Sequence, residues 1–473
     1  MLARGAALAV GAVPFADALA AAAAPPSGIF RELARTLRGD VLQRGASGYD
    51  AARLLYNTRF DAVRPQAVVY CESLADVQKT VRWARRHNIH VVPRSGGHSY
   101  GGYSTTSGVV VDVSRLKAIS LTADHRAAIG AGAKLIDVYA ALAPHGRTVP
   151  AGTCPSVGIA GLTQGGGIGL SARKFGLTCD HLLEATVVLA DGTAVVANAR
   201  QHSDLYWALR GGGGGNFGIV TRLVFRTRPV DEVVTYSLAW PWSDAREVVA
   251  AWQQLAPHAP DGLFSVLNLN SAPAITSAGQ FYGSEPALRD LLKPLAETGT
   301  PTRFTTLRRS YMSAMYMWAG CATIPLCHGA GRSTFAAKSR FAKNPLTATG
   351  IDALVRGIES YAGAGSGIVL LDSYGGAINR VPKAATAFVH RDALFSLQFL
   401  TYASPPNVGW LRRLYTSMTP HLSAFAYQNY IDPELPHWQH AYYGSNLARL
   451  QRIKRRYDPK NFFHTRQSIR LSR

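Results

Sequence analysis

The sequence predicts an α+β fold in two domains, and three observations carry that expectation. The chain has 473 residues, more than one compact hydrophobic core usually organises. In its first half, short apolar runs with strand character alternate with stretches of helical period, joined by glycine-rich loops. From about residue 230 the long glycine runs stop, and strand-like runs separated by helical stretches take over. Hydrophobic residues make up 47% and charged residues 17%, the balance of a folded globular chain and not of a disordered one.

Residues 65–69 and 91–92 read as short strands, with a helix over 73–87 between them. Its apolar Leu74, Val77, Val81 and Ala84 share one face at helical spacing. Residues 109–113 form a third strand and 136–142 a helix. A strand over 185–190 is turned by Asp191-Gly192, a pair suited to the positive φ angles of a tight hairpin. A helix over 203–210, capped by Ser203, precedes a strand over 218–226. In the second section, 264–269, 368–371 and 394–400 read as strands.

The net charge of +21 raises the question of nucleic acid. Lys and Arg are spread along the whole chain, however, with only short knots such as Lys454-Arg455-Arg456, and no nucleic-acid-binding motif accompanies them. No nucleic-acid partner is expected; broad positive charge bears on solubility and anion attraction. Residues 1 to about 26 are alanine-rich and apolar, with Arg4 near the start and Pro25-Pro26 at the end. They resemble a secretion signal, which predicts an extracellular protein. Beyond them no run of roughly 18 apolar residues occurs, so no membrane span is expected. Five cysteines are too few for a disulfide scaffold and show no CxxC metal spacing, so no metal site is expected. Cys321 and Cys327 are open between a disulfide and two buried thiols.

Three stretches carry chemistry. Pro93-Arg94-Ser95-Gly96-Gly97-His98-Ser99-Tyr100-Gly101-Gly102 follows a strand, and its glycines let the backbone approach a ligand with amides free to face phosphate oxygens. Arg94 can add a bidentate charge contact. Gly152-Thr153-Cys154-Pro155-Ser156-Val157-Gly158, running on to Gly165-Gly166-Gly167, sets a lone cysteine among glycine loops. That pattern is compatible with a nucleophile, a buried thiol or an attachment point. Gly213, Gly215 and Gly218 satisfy GxGxxG, but a helix precedes them and a strand follows. The Rossmann turn has the reverse order, so this reading is rejected.

Together these stretches resemble the berberine-bridge-enzyme-like branch of the vanillyl-alcohol-oxidase flavoprotein superfamily. The C-terminal part of the resemblance is Tyr427-Gln428-Asn429-Tyr430-Ile431-Asp432, then Tyr443-Gly444-Ser445-Asn446-Leu447, then Tyr457-Asp458-Pro459-Lys460-Asn461-Phe462-Phe463. The resemblance implies a two-lobed FAD-binding domain of the PCMH type with an inserted antiparallel-sheet substrate domain and a C-terminal segment returning to the FAD domain. The expected organisation is a leader over 1–28, FAD-binding residues 29–232, substrate-domain residues 233–424 and a returning segment over 425–473.

By the same resemblance, FAD is bonded twice, by His98 at its 8α carbon and by Cys154 at C6. Arg94, Ser95, Gly96, Gly97 and Ser99, together with Gly165, Gly166 and Gly167, match loops around the cofactor. So do Gly158, Asn216, Gly218 and Ile219, with Asn429 and Asn461 added from the C-terminal segment. Val157 stands where a small aliphatic side chain goes with oxygen access, which favours an oxidase. Tyr430 matches the base that takes the substrate hydroxyl proton, with Tyr427 beside it. Asp372, Tyr374 and Gln398 match strands that face the sugar in oligosaccharide oxidases; Asp372 assists the tyrosine and Gln398 binds a sugar hydroxyl. Those enzymes can carry a second glutamine where this chain has Leu370.

The expected activity is oxidation of a carbohydrate anomeric hydroxyl to a lactone, with molecular oxygen reduced to hydrogen peroxide. A tailoring oxidase of a secondary-metabolite alcohol, or a flavin dehydrogenase with another acceptor, is the alternative. A glycan-binding protein without catalysis would not require His98, Cys154 and Tyr430 together.

Overall fold

The computed structural model describes residues 28–471. Residues 1–27 of the expected leader lie outside the described residues.

The first half builds two sheets. One has four strands in the order Val41–Gln43, Ala67–Tyr70, Val109–Asp112, Val91–Arg94. The last three are parallel. Val68, Val69, Val109, Val110 and Val111 have no exposed surface, as expected of parallel strands covered on both faces. The helix Leu74–Arg86 makes the crossover, and the Ser73 hydroxyl caps it by accepting from the Asp76 amide at 3.1 Å. Val77, Val81, Trp83 and Ala84 are buried, but Leu74 is 38% exposed. A first-turn side chain points back past the helix end instead of onto the sheet, so the apolar stripe starts one turn later than the spacing predicts. The crossover returns the chain to Val91–Arg94, whose end delivers the loop carrying His98.

The second sheet is antiparallel, with strands in the order Ile119–Leu121, Arg126–Gly130, Ile219–Arg226, Leu182–Val188, Ala194–Asn198. Asp191-Gly192 makes the predicted turn, Gly192 with φ 81°. The Asp191 carboxylate accepts from the Thr193 amide and hydroxyl at 2.8 and 2.7 Å. The helix Ser203–Ala208 is capped by His202 in the left-handed region, φ 47°, and not by Ser203, which is its first helical residue. The Asn198 side chain accepts from the Arg200 and Gln201 amides and closes the turn that delivers His202. The strand Ile219–Arg226 follows the glycine run, so its order is opposite to a Rossmann turn.

Residues 232–402 supply a seven-stranded antiparallel sheet in the order Arg303–Ser310, Glu232–Trp240, Ala274–Phe281, Leu263–Asn270, Ser366–Ser373, Phe395–Tyr402, Phe335–Ala342. The helices Ala245–Leu255, Glu285–Ala296, Ala348–Glu359 and Val408–Met418 pack beside one another and against it. Its register sets two transverse rows: Thr276, Asn268, Leu370 and Gln398, and two positions along, Ala278, Val266, Asp372 and Ser396. Residues directly opposite on neighbouring strands share a face, so both rows lie on the same side.

The C-terminal segment returns to the glycine run. Lys454, on the helix Leu447–Tyr457, is fully buried and donates to the Asp458 carboxylate and the Asn216 and Phe463 carbonyls, each at 2.6 Å. The Asn216 side chain in turn accepts from the Ile469 amide at 2.9 Å. Replacing Lys454 by Met leaves the Asp458 carboxylate buried without its counter-charge. Lys454→Met is expected to lower unfolding stability by about 3–5 kcal/mol, measured by denaturant titration.

Candidate active site

A cavity of about 520 Å³ lies between the glycine loops and the two transverse rows of the seven-stranded sheet. Its geometry begins with two loops set back to back. A methyl on Gly96 would stand 2.2 Å from the Gly158 amide nitrogen, so any other side chain there would force the loops apart. Their contact puts His98 beside Ser156, with Nε2 2.9 Å from the serine hydroxyl oxygen. The imidazole also stacks on Tyr56, ring centres 4.1 Å apart and planes 19° from parallel. Burial, aided by the Lys134 charge, pushes the His98 pKa down to about 4, so the ring is neutral at pH 7. With Nε2 engaged, Nδ1 is the nitrogen left over. Cys154 lines the same cavity and has exposed surface, whereas Cys71 and Cys179 are buried. That surface opens onto the cavity and is screened from bulk water, which raises the Cys154 thiol pKa.

Arg94 behaves differently from its expected role. Its guanidinium donates to the Asp112 carboxylate and the Ala52 carbonyl, both buried. It therefore pins the strand end, and only Nη1 is left over for a ligand. That Nη1, the Ser104 hydroxyl and the Gln428 side-chain oxygen are buried on the cavity wall without a hydrogen-bond partner among the described residues. Buried polar atoms are nearly always satisfied, so the cavity is built for a polar ligand.

The other end of the cavity is aromatic and acidic. Tyr427 precedes and Tyr430 ends the short 3-10 turn Gln428–Tyr430. Their rings meet edge-on at 4.8 Å, and Tyr430 stacks on Tyr100 at 5.4 Å. The Tyr427 oxygen accepts from the Gly167 and Ile168 amides and from the Asn429 side chain, at 2.9, 3.2 and 3.0 Å. It is thus occupied in holding the glycine run. The Tyr430 hydroxyl has no hydrogen-bond partner among the described residues, and burial beside the Asp372 carboxylate holds its pKa well above 10. Asp372 accepts from the Ser396 hydroxyl at 3.3 Å, and burial raises its pKa to about 6. The Gln398 amide donates to the Tyr100 hydroxyl at 2.9 Å.

Of the residues named from the sequence, Ser95, Gly97, Ser99, Val157, Asn216 and Gly218 also line the cavity, as do Asn429, Tyr430, Asp372 and Gln398. Gly165, Gly166 and Gly167 stand behind the wall. A methyl on Gly165 would strike the Asn429 side-chain oxygen at 1.9 Å, so that glycine seats Asn429. Tyr374 is not a wall residue: it is fully buried, edge-on to Phe341 at 5.3 Å, and its carbonyl accepts from Arg173. Ile219 is buried in the second sheet, and Asn461 takes a left-handed turn, φ 51°, away from the cavity lining. Sequence reasoning missed Tyr56, Asn268, Trp318 and Tyr402. Asn268 shows only as the polar member between Leu267 and Leu269, and Trp318 sits in no motif. Cys321 and Cys327 form a disulfide.

Known proteins share this arrangement. A family model of an FAD binding domain matches residues 65–198, and one described as berberine and berberine-like matches residues 426–470. An FAD-linked oxidoreductase of Bacillus subtilis, YgaK, is 35% identical over 446 residues, covering 92% of this chain and 97% of its own. The chain belongs to the berberine-bridge-enzyme-like family. It is an FAD-linked oxidoreductase, and the orphaned polar atoms of the cavity fit that cofactor. The structure of berberine-bridge-enzyme-like protein 1 of Physcomitrella patens superposes on this family member with a TM-score of 0.90 at 33% identity, over 94% of this chain and 100% of the other. Glucooligosaccharide oxidase of Acremonium strictum, described as carrying 6-S-cysteinyl, 8α-N1-histidyl FAD, gives 0.87 at 27% identity over 94% and 100%. Among the described residues no helix is long and apolar enough to cross a membrane.

Removing the Tyr427 oxygen from this oxidoreductase leaves three N–H donors competing for nothing. Tyr427→Phe is expected to cost about 1–3 kcal/mol, read as a lower denaturant midpoint.

Proposed function

We propose that this enzyme is an extracellular oxidase that holds FAD through two covalent bonds, from His98 to the 8α carbon and from Cys154 to C6, and oxidises a carbohydrate at its anomeric hydroxyl to a lactone. The observation that carries the reading is one cavity lined by a neutral histidine, an accessible cysteine, Asp372 on the facing sheet and Tyr430 on the returning segment. The same two linkages are named for the glucooligosaccharide oxidase. When bound, FAD would accept hydride from the substrate carbon and return the electrons to molecular oxygen as hydrogen peroxide. Val157, a small aliphatic side chain on the cavity lining, is the position that would admit oxygen.

The chain's own residues then handle the proton. Tyr430 is protonated at neutral pH, because burial and a nearby carboxylate disfavour its phenolate. It can take the substrate hydroxyl proton only by passing its own to a neighbour. Asp372, with a pKa of about 6, is ionised at pH 7 and weakly basic enough to receive it. Gln398, held by Tyr100, offers an amide to a second hydroxyl. Leu370, between Asn268 and Gln398 in the same row, removes one amide from the sugar face. That supports a second reading, a secondary-metabolite alcohol.

Four outcomes test this. Acid precipitation of flavin-replete protein should leave the yellow colour in the pellet; His98→Ala with Cys154→Ala should release all of it, and colour lost from the wild type removes the tethers. Tyr430→Phe should slow substrate-driven flavin reduction about 100- to 10,000-fold with the cofactor still attached. The Asp372 pKa is raised, so its base form is lost as pH falls: the reduction rate should decline below about pH 6, and Asp372→Asn should abolish that limb. A panel of oligosaccharides and aromatic alcohols, followed by peroxide release, separates the two substrate readings.

A further inference from the structure

The chain between the two edge strands of the seven-stranded sheet is a strap. It leaves Arg303–Ser310 at one edge and enters Phe335–Ala342 at the other, a span of six strand spacings, roughly 29 Å. It makes this crossing on the side of the first half of the chain, to which it is pinned throughout. At its start the Thr148 hydroxyl donates to the Tyr311 hydroxyl at 3.0 Å, and Tyr139 packs edge-on against the same ring at 6.0 Å. Further along, His328 lies 2.8 Å from the Asp137 carboxylate. At its end the Arg332 guanidinium donates to the Leu55 carbonyl at 2.6 Å, and the Asn57 amide donates to the Phe335 carbonyl at 2.9 Å. The Cys321–Cys327 disulfide closes the middle of the strap.

Trp318 is carried on this strap. It ends the helix Tyr311–Ala319, which stops at Gly320 in the left-handed region, φ 70°, so the disulfide loop begins immediately after it. The indole is half-buried and lines the cavity. Its N–H is shielded from solvent and bonds to nothing among the described residues. A buried tryptophan N–H normally has an acceptor. The sheet presents a matching vacancy: the Asn268 side-chain oxygen, also on the cavity lining, is buried without a donor. Asn268 is the cross-strand neighbour of Leu370, the position at which the sugar face lacks an amide. An orphan donor and an orphan acceptor on one cavity are the counterpart of a hydroxyl group, which is both.

We propose that Trp318 is a substrate-binding residue, set beyond the reacting carbon, whose ring and N–H receive a further hydroxylated unit of the substrate while the disulfide-closed strap holds the indole in place. This rests on the reading of the substrate as a hydroxylated molecule larger than its oxidised unit. Cys321 and Cys327 act through Trp318 and are positioning residues.

The test uses the flavin-loaded enzyme and compares monomers with trimers of the same sugar, followed by peroxide release. Trp318→Phe keeps the ring and loses only the N–H; it should raise KM for the trimer about tenfold, the loss of one buried hydrogen bond, and leave kcat and the monomer KM within about twofold. Cys321→Ser with Cys327→Ser should move the trimer KM in the same direction at unchanged kcat, with the bound-flavin spectrum unaltered. An unchanged trimer KM in Trp318→Phe, or an equal rise for monomer and trimer, overturns the proposal. If the wild type oxidises aromatic alcohols and no sugar, the carbohydrate reading fails alone, and the same comparison between a small alcohol and its glycosylated form decides Trp318. If it oxidises nothing, both fail.

Discussion

The site depends on one approach of backbone to backbone. Gly96 and Gly158 touch where no β-carbon fits, and that contact joins a loop from the parallel sheet to a loop connecting two strands of the five-stranded antiparallel sheet. His98 and Cys154 arrive from segments far apart in sequence, and this contact brings both to one wall. The Arg94–Asp112 ion pair fixes one side of the junction from below. The Tyr427 oxygen gathers the Gly167 and Ile168 amides on the other. Arg94 and Tyr427, which look like ligand contacts in the sequence, therefore act as the frame of the cavity wall.

The opposite wall is governed by register. Because strand side chains alternate between faces, a slip of one residue would turn Asp372 and Gln398 away from the cavity together. Eight consecutive paired positions between Ser366–Ser373 and Phe395–Tyr402 exclude such a slip. The wall is also where burial does chemical work. It raises Asp372 to a pKa of about 6 while keeping Tyr430 protonated. At neutral pH the phenol therefore holds its proton while the carboxylate stays ionised, the one oxygen of the two able to accept a proton.

Much of this was legible in the sequence, for identifiable reasons. The glycine loops, His98, Cys154 and the C-terminal motif are local patterns, and local patterns survive without coordinates. The helix–glycine–strand order around Gly213 was enough to reject a Rossmann turn. What escaped was non-local. Arg94 stands in a phosphate-loop pattern, yet its partner Asp112 is visible only when parallel strands are paired. Tyr374 reads as a wall residue until packing buries it. Trp318 and Asn268 have no motif at all, since each acquires its role from a crossing chain or a neighbouring strand. His202 takes the cap position in place of Ser203, directly after a side-chain turn at Asn198 that no spacing in the sequence announces.

The last fifty or so residues have a consequence for how the molecule comes into being. They tie into the first half at Asn216 through Lys454 and Ile469, and into the inserted sheet where the Ser339 hydroxyl accepts from the Tyr427 amide at 3.0 Å. While the chain is still being made, the N-terminal segments can gather but the pocket has no closing side. Synthesis runs from the N-terminus, so the cradle is complete only once the segment from Tyr427 to Ile469 has been made and has folded back. A nascent chain stalled before Tyr427 has the glycine loops, His98 and Cys154 but lacks Asn429 and Tyr430 on the cavity lining.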